Sequence, residues 1–370
     1  MKKIVVLGAG NIGKFIGESL SASGVYDVTI VDINDTLLKT IKGKTFHADL
    51  SSPYEIQKAL ELHDADIVIN ALPSFLGFQA LKISVKLKRH VVDFSYMTED
   101  PRQLDALAKE NGVTVVTDFG FAPGMCHMFV GRALKLLGKG ISSIIYVGGL
   151  PIKEEDEYKV VFSARDVLEE YSRPARILKE GKIETVTPFD RNYSYEKLLD
   201  GLDLNLNLSG FISDGLRTML DLDGVENLLE STLRYHKHFD KMVTLKEDGF
   251  FKPENIEHTE KVLAEKWKRG PKDRDMSILD VRSSKGNSSV EHFLYDEYDE
   301  KLGHHSMARV TGSPVIAATE LIATGKLNKP GVNLPEILGQ DDEFFNLICG
   351  ILRAQGITLT EKVTTLVGVE

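Results

Sequence analysis

Lys2-Lys3-Ile4-Val5-Val6-Leu7-Gly8-Ala9-Gly10-Asn11-Ile12-Gly13 stands at the head of the sequence and settles the class of fold that follows. Lys2–Leu7 carries a short apolar run of the buried-strand type. It passes straight into Gly-x-Gly-x-x-Gly, and a helix with Ile12, Phe15, Ile16 and Leu20 along one face comes next. Gly8 permits the tight turn, Gly10 lets a pyrophosphate approach the backbone, and Gly13 lets helix and strand pack closely. The helix start at Asn11, Ile12 and Gly13 offers unpaired amides and a partial positive charge to phosphates. The helix stops near Ser23-Gly24, where glycine adopts the left-handed cap conformation. A second strand, Val28–Asp32, ends on an acidic residue 19 positions after Gly13. Its carboxylate is placed to accept from both ribose hydroxyls and to repel a 2′-phosphate, so the cofactor expected is NAD rather than NADP.

Alternation continues outward from that corner. Strands are expected over Thr45–His47, Ile67–Asn70, Val91–Phe94 and Val113–Thr117. One intervening helix begins at Ser52-Pro53-Tyr54-Glu55, a capping box with proline at the first position. Another opens at Asp100-Pro101 and runs to Asn111-Gly112. The pattern predicts a parallel sheet covered on both faces, doubly wound by right-handed crossovers, of the Rossmann type. Ligands of such sheets lie beyond the carboxyl ends of the strands. Ala71, Leu72 and Pro73 are therefore placed near the nicotinamide half of the cofactor, as is Ser95. Asp49 and Leu50, after the third strand, lie beside the adenine; Asp49 reads equally as a cap before the Ser52 helix.

From about Met125 the alternation stops. Strands are expected over Ile144–Val147, Lys159–Phe162, Met276–Arg282 and Val290–Tyr295, a helix over Ala164–Glu170, partly helical structure over Gly201–Leu233, and a loop over Lys268–Arg274. This is an α+β domain for substrate and dimerisation. Ser313-Pro314 starts a helix, and Asp341-Asp342-Glu343 gives an acidic first turn to another that ends at Gln355-Gly356. The domains are thus 1–124 for the dinucleotide, 125–311 for the substrate, and 312–370 for C-terminal helices that return to the first.

Composition narrows the classes of function. Of 370 residues, 45 are Lys or Arg and 55 are Asp or Glu, a net charge of −10 that disfavours nucleic acid and anionic membranes as partners. Apolar residues make up 42% of the chain, enough to build cores, but no run of about 18 of them could span a membrane. Cys126 and Cys349 alone cannot form a disulfide framework or a four-thiolate zinc site, and they fit a reduced, cytoplasmic setting. His304-His305 and His236-x-His238 lack metal-ligand spacing, so no metal is expected. Cys126 beside His127 is read as a pair of neighbours, not as a nucleophile with its base.

The glycine loop, Asn70-Ala71-Leu72-Pro73, Val92-Asp93-Phe94-Ser95-Tyr96, Gly120-Phe121-Ala122-Pro123-Gly124-Met125 and Gly148-Gly149-Leu150-Pro151 together resemble the saccharopine dehydrogenase family. Tyr171-Ser172-Arg173-Pro174-Ala175-Arg176 and Thr232-Leu233-Arg234-Tyr235 look like its L-lysine 6-dehydrogenase branch. The resemblance implies an NAD-dependent oxidoreductase acting on the CH–NH2 or CH–NH group of an amino acid, in a homodimer or larger oligomer. The expected reaction is oxidative deamination of L-lysine at the 6-amino group, giving a semialdehyde that cyclises. Saccharopine-type and carboxynorspermidine-type reductases are the alternative, and a non-catalytic dinucleotide sensor the alternative outside enzymes. Ala122 and Cys126 stand where the saccharopine-forming reductases have acidic residues, and Val147 where they have cysteine. His236-Lys237-His238 replaces the Pro-Gly-His of the lysine branch.

Such a substrate needs a fork of donors for its carboxylate, for which Arg173 and Arg234 are the candidates. Its amine must lose a proton before oxidation. Tyr96, Asp118 and His127 are the candidates to receive it, with Tyr235 and His236 behind them. Each has a plainer reading: a wall residue for Tyr96, a loop cap for Asp118, a hydrogen-bonded structural histidine for His127.

Overall fold

A computed structural model of the chain describes residues 1–153, 158–160, 164–190, 192–193, 195–198, 206–270 and 272–365. The chain divides into two compact units, Met1–Arg132 with Ala308–Gly356, and Ala133–Met307 with the residues from Ile357 on. Along the chain the strands are β1 (Lys3–Leu7), β2 (Asp27–Asp32), β3 (Lys44–His47), β4 (Ile67–Asn70), β5 (His90–Asp93) and β6 (Thr114–Val116). There follow β7 (Ile141–Pro151), β8 (Ala175–Lys179), β9 (Lys182–Val186), β10 (Tyr195–Leu198), β11 (Asn207–Ile212) and β12 (Val225–Tyr235). The last four are β13 (Asp275–Lys285), β14 (Ser288–Glu297), β15 (Gly331–Asn333) and β16 (Thr358–Thr365).

In the first unit, seven strands among the described residues form a parallel sheet in the order β15-β6-β5-β4-β1-β2-β3. Successive strands β1 and β2 pair with each other, whereas β4 lies on the opposite side of β1. The order therefore reverses between β1 and β4, and the carboxyl ends of these two strands frame the switch point where open α/β sheets bind ligands. Ile4, Val5, Val6 and Leu7 are all at most 1% exposed, because helices cover both faces and an alternating pattern would leave polar groups buried. Ser52 accepts the amide of Glu55 at 3.4 Å, with Pro53 at the first position of Pro53–Leu62. Asp341 likewise caps Asp342–Ala354 by accepting from Phe344 N at 3.1 Å.

In the second unit the sheet runs β10-β11-β12-β7-β13-β14-β16, with β8 joined to β12 and β9 to β8. The long strand β7 lies parallel to β12 and antiparallel to β13. The mixed, mostly antiparallel character matches the expected α+β class.

Several local expectations give way. The region 206–233 is β11, one 3-10 turn at Arg217–Asp221, and most of β12, not helix; residues 201–205 lie outside the described residues. Its apolar residues pack in a sheet whose pairing partners are distant in sequence, so local spacing misled. Gly148-Gly149-Leu150-Pro151 forms the end of β7, in register with Asp275–Ile278. Within the expected strand Lys159–Phe162, Val161 and Phe162 lie outside the described residues, as does Pro271 in the expected loop. The stretch after Asp100 begins as a 3-10 turn, Pro101–Leu104, before the helix Asp105–Glu110.

The helix expected from Ser313 starts at Ser306 and runs to Ala323, with Pro314 inside it. Its true start is set by Asp275, remote in sequence, whose carboxylate accepts from Ser306 N at 3.0 Å and Met307 N at 3.1 Å. Two consequences follow for the domain limits. The units divide after Arg132 and after Met307, within the helices Met125–Leu137 and Ser306–Ala323, against the expected limits after 124 and 311. The end of the chain also belongs to the second unit, because β16 pairs along β14 from Tyr295↔Thr358 to Ser288↔Thr365.

Candidate functional site

The corner after β1 has the shape of a phosphate cradle. Gly8 has φ +102°, and a Cβ there would lie 2.6 Å from the Ala71 carbonyl oxygen. A Cβ on Gly13 would lie 2.2 Å from the Gly8 oxygen, so both positions require glycine on packing grounds alone. Gly10 differs: a Cβ there would meet nothing within 4 Å. Its φ of −57° suits any residue. Gly10 is exposed at the N-cap of Asn11–Ala22, and no side chain caps that helix. Glycine at an unstrained, uncrowded position, ahead of uncapped amides, fits a group that approaches from outside. Asp32 closes the corner: its Oδ2 accepts from Ala9 N at 2.7 Å and its Oδ1 from Asn34 N at 2.8 Å. Each oxygen retains a lone pair for a ribose hydroxyl. These residues fit a nicotinamide dinucleotide.

The other expected contacts are more mixed. Ala71 is half-buried against Gly8, and Pro73 is exposed. Leu50 and Leu72 belong to a core cluster with Leu7 and Val31. Exposed Asp49 accepts from Ser51 Oγ at 2.7 Å and Ser51 N at 3.0 Å, forming the turn ahead of the Ser52-capped helix. Buried Ser95 donates its hydroxyl to Asp93 Oδ2 at 2.9 Å.

At the carboxyl edge, Asp93 gathers groups from three strand ends. Its Oδ2 also receives Asn70 Nδ2 at 2.5 Å, and its Oδ1 receives Ser95 N at 3.3 Å and Thr117 Oγ1 at 3.4 Å. Asn70 Nδ2 donates again to the Gly77 carbonyl at 2.9 Å. Burial first, and then the Asp118 charge, push the Asp93 carboxyl up to about 7 against the pull of its Ser95 and Asn70 hydrogen bonds. Asp118 is wholly buried, Tyr96 is half-buried, and both have positive φ, +54° and +51°. His127 is wholly buried; the Gly124 amide donates to its Nδ1 at 3.3 Å, which assigns the ring proton to Nε2. Cys126 Sγ lies 3.1 Å from the same Nδ1. The geometry of His127 is that of a loop anchor.

In the second unit the two arginines differ sharply. Arg234 is 2% exposed and donates Nε to Tyr171 Oη at 2.9 Å, Nη1 to Leu233 O at 2.8 Å and Nη2 to Glu170 at 2.8 Å. Tyr158, Tyr171 and Phe211 surround its guanidinium. Each of its three nitrogens thus donates inside the protein, through three of its five N–H groups. Arg173 is 37% exposed, and its ion pairs to Glu169 and Asp214 stand at 4.0 and 3.9 Å, the outer limit of such contacts. Tyr235 is buried and donates to the Pro151 carbonyl at 2.9 Å. His236 lies 2.8 Å from Ser209 Oγ, His238 lies 3.0 Å from Tyr171 Oη, and His305 lies 2.9 Å from Asp275. Among the described residues, no three His, Cys, Asp or Glu side chains converge as metal ligands. No helix among them is long and apolar enough to cross a membrane.

Two buried acids whose carboxyls are pushed up, Asp93 and Glu230, are not among the candidates that the sequence offers. Asp93 enters the sequence reading within a strand and a family motif, with no chemical role, and Glu230 does not enter it. Burial pushes the Glu230 carboxyl up to about 7; Ser213 opposes this, and Glu170 and Asp214 add to it. The available signal was a carboxylate within, or just ending, an otherwise apolar strand: Val91-Val92-Asp93 and Leu228-Leu229-Glu230.

Comparison with known proteins adds the kinship. Residues 4–116 match the saccharopine dehydrogenase NADP binding domain, and residues 120–357 match the saccharopine dehydrogenase C-terminal domain. A saccharopine dehydrogenase [NADP(+), L-glutamate-forming] of Saccharomyces cerevisiae is 29% identical over 201 residues, covering 51% of this chain and 45% of that one. The mitochondrial alpha-aminoadipic semialdehyde synthase of Rattus norvegicus is 23% identical over 455 residues, covering 98% and 48%. The chain thus spans under half the length of both. The solved structure of apo saccharopine dehydrogenase (L-Glu forming) from Saccharomyces cerevisiae superposes with a TM-score of 0.80 at 21% identity, covering 99% of this chain and all of that one, and so shares its fold. With two family domains matched in order across nearly its whole length, the chain belongs to the saccharopine dehydrogenase family.

Proposed function

We propose that this chain is a nicotinamide-dependent oxidoreductase acting at the C–N bond of an amino acid, with L-lysine as substrate, its 6-amino group the reacting amine, and NAD the preferred cofactor. The observation that carries the reading is the uncapped corner at Gly8–Gly13, where Gly10 is unneeded for packing and Asp32 stands ready for ribose hydroxyls. The bound cofactor supplies the redox chemistry. The chain's own residues bind, orient and move a proton. Arg173, whose side chain is the more exposed of the two, takes a substrate carboxylate in place of the buried Arg234. Asp118, at the carboxyl edge with Tyr96, accepts the amine proton. Ala122, Cys126 and Val147, in place of the acidic residues and cysteine of the saccharopine-forming pattern, favour lysine over saccharopine.

A second reading is supported by the names of the relatives: a saccharopine dehydrogenase that uses NADP. Near-ultraviolet absorbance of reduced nicotinamide, followed with L-lysine or saccharopine against NAD or NADP, separates the two. Turnover of L-lysine with NAD and release of ammonia is expected. Turnover confined to saccharopine with NADP would establish the second reading. Dinucleotide binding without turnover of any amino acid would make the protein a sensor.

A further inference from the structure

We infer that Arg234 is a positioning residue: through Glu170 and Tyr171 it fixes the end of the helix Ala164–Ser172, and so sets where Arg173 presents its guanidinium to a substrate carboxylate. The inference rests on the reading of Arg173 as the carboxylate ligand, and it adds what holds that ligand in place.

Arg173 directly follows that helix, and its amide donates to the Glu169 carbonyl at 2.8 Å, so its backbone moves with the last turn. Pro174 comes next and cannot extend the helix. Glu170 and Tyr171 are consecutive residues of the same turn, and neighbours on a helix point about 100° apart. One side chain nevertheless reaches both. Arg234 donates Nη2 to Glu170 Oε2 at 2.8 Å and Nε to Tyr171 Oη at 2.9 Å. Because the guanidinium is a rigid plane, two bonds from separate nitrogens fix the rotation of the helix end as well as its distance from β12. Arg234 is itself anchored in the sheet, paired with Ser209 of β11 and donating Nη1 to the Leu233 carbonyl at 2.8 Å.

The bond to Tyr171 also has a fixed direction. Arg234 Nε–H takes one lone pair of Tyr171 Oη, and His238 Nε2 lies 3.0 Å from the same oxygen. Burial first, and then the Arg234 charge, hold the His238 ring well below the usual histidine range, so the ring is neutral. Its Nε2 therefore accepts the Tyr171 hydroxyl proton. Hydrogen bonds run from Arg234 to Tyr171 to His238, and they join β12, the helix Ala164–Ser172 and the helix His236–Glu247. All three side chains are buried, where a lost partner is not replaced by water. The two arginines divide the work by exposure. The Arg173 side chain is 37% exposed and can meet a ligand, whereas that of Arg234, at 2%, acts through what it holds.

The test compares Glu170→Ala, Glu170→Gln and Tyr171→Phe with the wild-type full chain. Tyr171→Phe removes the hydroxyl and keeps the ring among Phe189, Phe211 and Phe251. Hydrogen–deuterium exchange reads the helix end without any substrate. Amides from Glu169 to Arg176 should exchange at least about tenfold faster in Glu170→Ala and Tyr171→Phe, the factor that one hydrogen bond to a charged group supplies. Amides of β1 and β4 should not change, and Glu170→Gln, which keeps an acceptor oxygen, should restore most of the protection. In turnover with L-lysine and NAD, the same two variants should raise the KM for the amino acid about tenfold and leave kcat and the KM for NAD within about twofold. Unchanged exchange at the helix end in both variants would overturn the inference. So would faster exchange with an unmoved amino-acid KM, where Arg173→Gln does raise that KM. An Arg173→Gln protein with an unmoved amino-acid KM would instead sink the reading of Arg173, and absence of turnover with any amino acid would sink the proposed function; in both cases the exchange data still decide whether Arg234 holds the helix end.

Discussion

The glycine corner of the first unit and the arginine cluster of the second are both built from residues that the sequence singles out, yet they are in opposite states. At the corner, Gly10 faces open space and the helix behind it has no side-chain cap. In the cluster, Arg234 is buried with all three nitrogens donating to its own chain. One place leaves its first helical amides without a side-chain cap, and the other turns every arginine nitrogen toward its own chain. The ligand-binding role proposed above is given to the first kind. The second kind holds Arg234 among Tyr171, Glu170 and the Leu233 carbonyl, while the Arg173 side chain is the more exposed.

The comparison is broken most directly by Arg234→Ala. It would strand Glu170 and open a cavity among Tyr158, Tyr171 and Phe211, for an expected loss of about 3–5 kcal/mol. A thermal melt checks this; an unchanged melting temperature with a raised KM would make Arg234 a substrate ligand after all.

Next in size is the pH dependence of stability. The Asp93 carboxyl sits at about 7 when folded, far above its ordinary unfolded value. The folded state therefore keeps a proton that the unfolded chain releases. Stability present below about pH 4 is lost as pH rises toward 7, at up to about 1.4 kcal/mol per pH unit. Glu230 adds a loss of the same sign. Asp93→Asn should flatten the slope of melting temperature against pH; a parallel slope would remove Asp93 from the account.

Gly13→Ala should cost about 1–3 kcal/mol, since its Cβ meets the Gly8 oxygen. Gly10→Ala should cost about 1 kcal/mol or less in folding and yet weaken dinucleotide binding at least about tenfold, because its Cβ would stand where the pyrophosphate approaches. Equal losses of stability at the two positions would erase the distinction between a packing glycine and a ligand glycine.

The first unit was the more legible because its signals are local. An apolar run, a glycine turn and an acidic strand end lie within 32 residues, and parallel strands alternate with helices at regular spacing. Ser52 and Asp341 announce their helices by capping them from the adjacent residue. Asp275 caps a helix some thirty residues onward, so the start at Ser306 could not be read from its neighbours. β11 and β12 likewise owe their form to partners such as β7, far off in the chain. The same limit applied to chemistry. Arg234 and Arg173 look alike as letters, and only Tyr171, Glu170 and Asp214, brought in by folding, tell them apart. Asp93 was hidden because nothing nearby reveals that Asn70, Thr117 and Asp118 converge on it.

Calorimetric titration of the full chain with NAD and with NADP, in the wild type and in Asp32→Ala, reaches the central claim most directly. Saturable uptake of NAD, tighter than that of NADP, with the preference relaxed in Asp32→Ala, is the predicted result. Failure of the wild-type chain to take up either dinucleotide would contradict the account at its foundation.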